Sequence, residues 1–138
     1  MALLKVFVYG TLKPGECNYP RYCEGKVVDS CPAIARGKLF HLRYRGYPAM
    51  MVGEGQVQGI LLTFADSAVL NDLDRLEDYQ PQRPPAQNEY QRQQVEIFHS
   101  DWQSLGWAWA YFMLPDRVQT LGGMLLPEGF WSQEISHK

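Results

Sequence analysis

One carboxylate in this sequence stands where a carboxylate is costly. Residues 68–77 read as an amphipathic helix, with Asp66 or Ser67 placed to cap its start. At about 100° per residue, with Leu70 set at zero, Leu73, Leu76 and Val69 fall at about 300°, 240° and 260°. They define an apolar stripe roughly 120° wide. Glu77 falls inside it at about 340°, whereas Asn71, Asp72, Asp74, Arg75 and Asp78 fall outside. An acid on the core-facing side must be paired, protonated or facing a cavity. Burial and the negative end of the helix both raise its pKa. A carboxyl held that way suits proton transfer near neutral pH. The residues alone leave a second reading open, in which Glu77 snorkels at the helix end or pairs with an arginine such as Arg83 or Arg92.

The second candidate is the loop Tyr9, Gly10, Thr11, Leu12, which ends a strand-like run. Gly10 permits backbone conformations closed to other residues and lets a ligand approach closely. Consecutive free N–H groups in such a turn bind an anion or a developing oxyanion, and Thr11 adds a hydroxyl. A plain strand-ending turn accounts for the same residues. The glycine spacing matches neither a dinucleotide fingerprint nor a P-loop.

The remaining chemistry-bearing residues carry less. Cys17, Cys23 and Cys31 are odd in number and match no zinc spacing, so they read as reduced thiols. A Cys17 nucleophile lacks a paired histidine. His41 and His99 read as surface or sheet residues and His137 as an inert tail residue. Glu54, Glu89 and Glu96 read as solvated charges. Tyr19, Tyr22 and the face Trp107, Trp109, Tyr111, Met113 read as core.

These groups need elements to position them. Residues 3–9 form a buried strand, and residues 19–25 can hold a short helix. Residues 26–30 and 33–40 read as strands split at Pro32, and 47–52 as a short extended piece. Gly53-Glu54-Gly55 reads as a hairpin-type turn into a strand over 56–64. The helix follows, then a proline-rich loop over 80–88, then strands over 90–98 and 107–113. The tail drapes over the body. About six strands with one or two helices make an α+β pattern dominated by a curved or closed sheet.

The 138 residues, 46% hydrophobic and 20% charged, fit a single domain over 1–138. A net charge of −2 gives no reason to expect nucleic acid or an anionic membrane as partner. No apolar run spans a bilayer, and the N-terminus has no signal-peptide layout, so a soluble cytoplasmic chain is expected. Oligomeric state is not legible.

Taken in order, the motifs resemble the gamma-glutamyl cyclotransferase-like family. Val8-Tyr9-Gly10-Thr11-Leu12 is followed by Pro14-Gly15 and Asn18, then by Gly37-Lys38-Leu39-Phe40, Tyr47-Pro48-Ala49 and Val57-x-Gly59. Leu73-Asp74-x-x-Glu77-x-Tyr79, Tyr90-x-Arg92 and Trp109-Ala110-Tyr111 complete the series, over residues 5–131. The resemblance implies a small mixed β-barrel with flanking helices. It implies an enzyme that cyclises a gamma-glutamyl amine to 5-oxoproline, with no metal, cofactor or covalent intermediate. It makes Glu77 the acid/base, has Tyr9 to Leu12 bind a small gamma-glutamyl substrate through their backbone, and puts Tyr111 in the same cavity. Arg92 would then either orient Glu77 or cap the barrel. Two features depart from the family pattern: Asp78 stands where a glycine is usual, and the proline-rich loop is long. The alternatives are a non-catalytic small-ligand module on the same fold, and a hydrolase in which Glu77 activates water.

Overall fold

The computed structural model describes residues 3–133. Its strands are β1 (Leu4–Val8), β2 (Val27–Leu42), β3 (Tyr47–Phe64), β4 (Gln91–Phe98), β5 (Ser104–Phe112) and β6 (Gly123–Leu125). Three short helices join them: α1 (Tyr19–Tyr22), α2 (Val69–Leu76) and α3 (Pro115–Thr120). β3 pairs antiparallel with both β1 and β2. β1 lies parallel to β5, with Val6 opposite Trp109, and β5 pairs antiparallel with β4. β4 returns to β2 at Ile34 and Phe98, closing a five-stranded ring, and β6 adds to the outer end of β2. The expected mixed barrel is present, with three α-helices among the described residues rather than one or two.

Both faces are packed along β1 and at the ends of β3 and β5, where burial is nearly continuous rather than alternating. All five ring strands feed an inner cluster, including Phe7, Ala35, Leu61, Ile97, Ala110 and Phe112. Alanines at 33, 35, 108 and 110 fit the narrow interior. The neighbours Val6, Val8, Leu62, Phe64 and Tyr111 turn outward and meet Val69 and Leu73 of α2. The expected Trp107 face is only partly core: Trp107 is exposed, whereas Tyr111 and Met113 are buried.

Two breaks expected in the sheet are absent. β2 runs unbroken through Pro32, which pairs with Ile60. On its other side β2 meets β4 only at Ile34, so the missing N–H interrupts little of a ladder. The second hairpin partner is not separated by a turn at 53–55 either; β3 continues through those residues. The chain reverses earlier, where Arg45 and Gly46 amides donate to the Leu42 carbonyl. The glycines instead let the two long strands bend together. Register shifts between Arg36 and Lys38, and a Cβ on Gly55 (φ +115°) would lie 2.9 Å from the Gly37 carbonyl oxygen. The tail does drape over the body: Trp131 is 1% exposed. His137 lies outside the described residues.

Candidate active site

α2 delivers Glu77 one residue past its last turn. Asp66 Oδ1 accepts from the Ala68 amide at 2.9 Å near the start. At the end, the Asp78 amide donates to Arg75 O at 3.3 Å and the Tyr79 amide to Asp74 O at 2.9 Å. That is a Schellman closure, which needs a left-handed residue after the cap. Asp78 fills that place with φ +54°. The departure at Asp78 is thereby explained: the backbone conformation a glycine favours is kept, and aspartate tolerates it.

β1 delivers the loop. Its turn is closed by the Lys13 amide donating to Gly10 O at 3.0 Å and the Asn18 amide to Thr11 O at 2.9 Å. Asn18 Nδ2 also donates to Thr11 Oγ1 at 2.9 Å. The amides of Gly10, Thr11 and Leu12 donate to no described group. Gly10 is needed for close packing, not for an unusual backbone angle: a Cβ there would lie 2.5 Å from Pro48 Cγ.

Loop and carboxylate meet at one cleft of about 110 Å³, lined by Tyr9, Gly10, Thr11, Leu12, Glu77 and Tyr111 together with Asn18, Tyr47, Pro48, Glu89 and Tyr90. It is small beside the roughly 300–1,000 Å³ pockets that take drug-sized ligands, and fits a group the size of one amino-acid side chain. Among the described residues, no lysine, arginine or histidine lines it. Leu76, beside Glu77, contributes apolar wall.

Glu77 is the proton-transfer candidate of this cleft. Desolvation, and secondarily the charge of Glu89, push its pKa from 4.5 up to about 8. Its carboxyl makes no hydrogen bond or ion pair with a described residue. The arginines that could have paired with it are committed elsewhere. Arg83 Nη2 sits 3.0 Å from Asp78 Oδ1. Arg92 Nε sits 2.9 Å from Asp74 Oδ1, both side chains 15% exposed, with the guanidinium stacked on Trp109 and Tyr79. Arg92 therefore serves Asp74 rather than Glu77.

The tyrosines hold the walls. Tyr9 Oη donates to Tyr111 O at 2.7 Å and accepts from the Met50 amide at 3.2 Å, so its hydroxyl ties β1, β3 and β5 together. Tyr111 Oη donates to Asp74 Oδ1 at 2.7 Å, and Tyr90 Oη to Pro48 O at 2.6 Å. Burial, reinforced by nearby carboxylates, pushes all three phenols well above their ordinary range, so they stay protonated donors. Asp74, expected outside the apolar stripe, is half-buried at its edge.

Glu89 corrects the expectation of a solvated charge. It lines the cleft and accepts from Tyr47 Oη. The proline-rich loop holds it there through Asn88, which is 2% exposed. Asn88 Oδ1 accepts from the Gln80 amide at 3.0 Å and Arg83 Nε at 2.7 Å, and the Glu89 amide donates to Asp78 O at 3.1 Å. Cys17 is exposed and absent from the cleft lining. Burial pushes the Cys23 thiol up to about 11, which removes its nucleophilicity.

Among the described residues no helix is long and apolar enough to cross a membrane. The sequence matches the family model "Gamma-glutamyl cyclotransferase, AIG2-like" over residues 6–133. No curated protein matches it. Three solved structures are similar in fold. An AIG2-like protein from Mus musculus has 20% identity and a TM-score of 0.69, covering 95% of this chain and 89% of that one. The protein ytfP from Escherichia coli has 27% identity and a TM-score of 0.59, covering 93% and 96%. YkqA from Bacillus subtilis has 22% identity and a TM-score of 0.65, and there this chain spans 94% of itself but only 40% of the longer protein. With the family model matched over nearly its whole length, the chain belongs to the gamma-glutamyl cyclotransferase, AIG2-like family.

Proposed function

We propose that this protein cyclises a gamma-glutamyl amine or gamma-glutamyl amino acid to 5-oxoproline and releases the amine, with Glu77 as general acid/base. One observation carries the reading: a desolvated carboxyl with no cationic partner among the described residues opens on the same cleft as a row of backbone amides that donate to no described group. The substrate supplies its own nucleophile, so the protein's task is to fold the glutamyl chain until its α-nitrogen reaches the γ-carbonyl.

The site supports one carboxyl serving both proton transfers. Glu77, as carboxylate, takes a proton from the α-ammonium, and the freed amine attacks the γ-carbonyl carbon. The C–N bond to the leaving group then breaks as Glu77 delivers its proton to that nitrogen. Overall the α-nitrogen gives up two protons and the amine departs as an ammonium, so none is consumed. Amides of Gly10, Thr11 and Leu12 are the donors available to the substrate carboxylate or to the oxyanion. The phenols stay neutral and cannot replace Glu77 as base.

The test is a panel of gamma-glutamyl amino acids and gamma-glutamyl amines, read for 5-oxoproline and for free glutamate. This reading requires 5-oxoproline with stoichiometric amine. Free glutamate as the product would mean water is the nucleophile, and neither product from any member of the panel would leave a binding module.

A further inference from the structure

The loop that floors the cleft is held from behind as well as from within. Leu12 is buried, with its carbonyl 3.9 Å from the Cys23 thiol. The next side chain, Lys13, is 7% exposed, a rare state for a lysine. Burial pushes its pKa down, with Glu16 acting against that from a distance. No carboxylate forms an ion pair with Lys13 among the described residues. Its Nζ instead donates to the Trp131 carbonyl and lies 4.2 Å from the centre of the Phe130 ring. Both partners belong to the segment after β6.

That segment is fixed to the barrel independently of Lys13. The Leu126 amide donates to Leu39 O at 2.8 Å, and the Gln58 amide to Gly129 O at 2.7 Å. Gln58 Nε2 donates to Glu128 O at 3.0 Å. Gly129 sits at φ +68°, where a Cβ would lie 1.9 Å from Gln56 O, so this close approach admits only glycine. Trp131 fills the inner cluster, and its Nε1–H donates to His41 Nδ1 at 3.0 Å. A second link runs back to the loop region, from the Gln133 amide to Glu16 Oε1 at 3.1 Å.

We propose that Lys13 is a positioning residue for the cleft, gripping a barrel-anchored strap over residues 128–133 so that the Gly10, Thr11 and Leu12 amides are held in place. A buried lysine is an expensive way to fill space, because methionine would fill it without desolvating a charge. What the ammonium adds is a directed hydrogen bond to a fixed carbonyl on one side of a turn whose other side faces the cleft. The kinetic consequence rests on the function proposed above; the structural one does not.

The test uses Lys13→Met, which keeps the stem and removes the donor, and Trp131→Phe, which keeps most of the bulk and removes the bond to His41. Amide hydrogen exchange is read at Glu16 and Asn18, whose N–H groups close the loop on Lys13 O and Thr11 O, with Leu62 and Phe64 of β3, which lie outside the cluster that Trp131 fills, as internal controls. Both variants should speed exchange at Glu16 and Asn18 by about tenfold or more and leave β3 unchanged. In turnover, kcat/KM should fall by about tenfold, with the acid limb of the pH profile left where Glu77 puts it. Unchanged loop exchange in folded Lys13→Met overturns the proposal, as the loop then holds itself. If Lys13→Met does not fold, the same exchange comparison in Lys13→Leu, which also keeps an apolar stem and removes the donor, decides in the same way. A wild-type protein that forms no 5-oxoproline removes the function above, while the exchange arm still decides the role of Lys13.

Discussion

Replacing Glu77 by glutamine should make the protein more stable, and only at high pH. The carboxyl has a pKa near 4.5 when unfolded and about 8 when folded. Below pH 4.5 both states carry the proton and ionisation contributes nothing. Between 4.5 and 8 the folded chain holds a proton that the unfolded chain has released, so stability falls as pH rises. Above 8 the charge is forced into the cleft at full cost. At about 1.4 kcal/mol per pKa unit that cost is about 5 kcal/mol, and water in the cleft screens it to about 3 to 5. Glutamine has nothing to ionise. Its stability advantage should therefore be absent or constant below pH 4.5, grow to about 3 to 5 kcal/mol by pH 9, and appear there as a rise in Tm of about 10–17 °C. Urea titrations of both proteins between pH 4 and 9 measure the difference directly. Distant titrating groups such as His41 cancel in the comparison. A stability difference that is the same at pH 5 and pH 9 would refute the claim that Glu77 is desolvated and unpaired.

Glu89→Gln should move the Glu77 titration to lower pH, since the charge of Glu89 is the second cause of its elevation; the δ-carboxyl carbon shift of Glu77 followed by NMR reports it, and an unmoved midpoint contradicts the coupling. Gly10→Ala puts a methyl 2.5 Å from Pro48 Cγ; it should cost about 1–3 kcal/mol in denaturant titration and lower kcat/KM by displacing the loop. Asp78→Gly relieves a left-handed aspartate at the expense of a half-exposed ion pair with Arg83; a gain of about 0.5–1 kcal/mol in thermal unfolding is expected.

Much of the candidate site's geometry is legible in the sequence because its signals are local. The stripe that singles out Glu77 depends on ten consecutive residues, and the structure places α2 at Val69–Leu76 with Glu77 as its cap. β1 and its loop likewise follow from one short run. What stayed hidden depends on partners far along the chain. Glu89 looks like a solvated loop acid until Tyr47, 42 residues away, donates to it. Asp74 sits only just outside the stripe, and its burial is made by Arg92 and Tyr111. Pro32 and the pair Gly53 and Gly55 carry strong turn signals, yet long-range pairing of β2 with β3 overrides them. α3 was missed as well, although Pro115 in its first turn and Asp116 beside it are starting signals. The glycine at 10 was read for its backbone freedom, while the actual constraint is Pro48 pressing on it.

The measurement that bears most directly on the central claim is 5-oxoproline release by wild type and by Glu77→Gln, each saturated with a substrate the wild type accepts. Glutamine keeps the shape of the side chain and loses its basicity. A general acid/base role for Glu77 requires that the variant still bind the substrate while kcat drops by about 10²–10⁴-fold. Turnover by Glu77→Gln at the wild-type rate would contradict it.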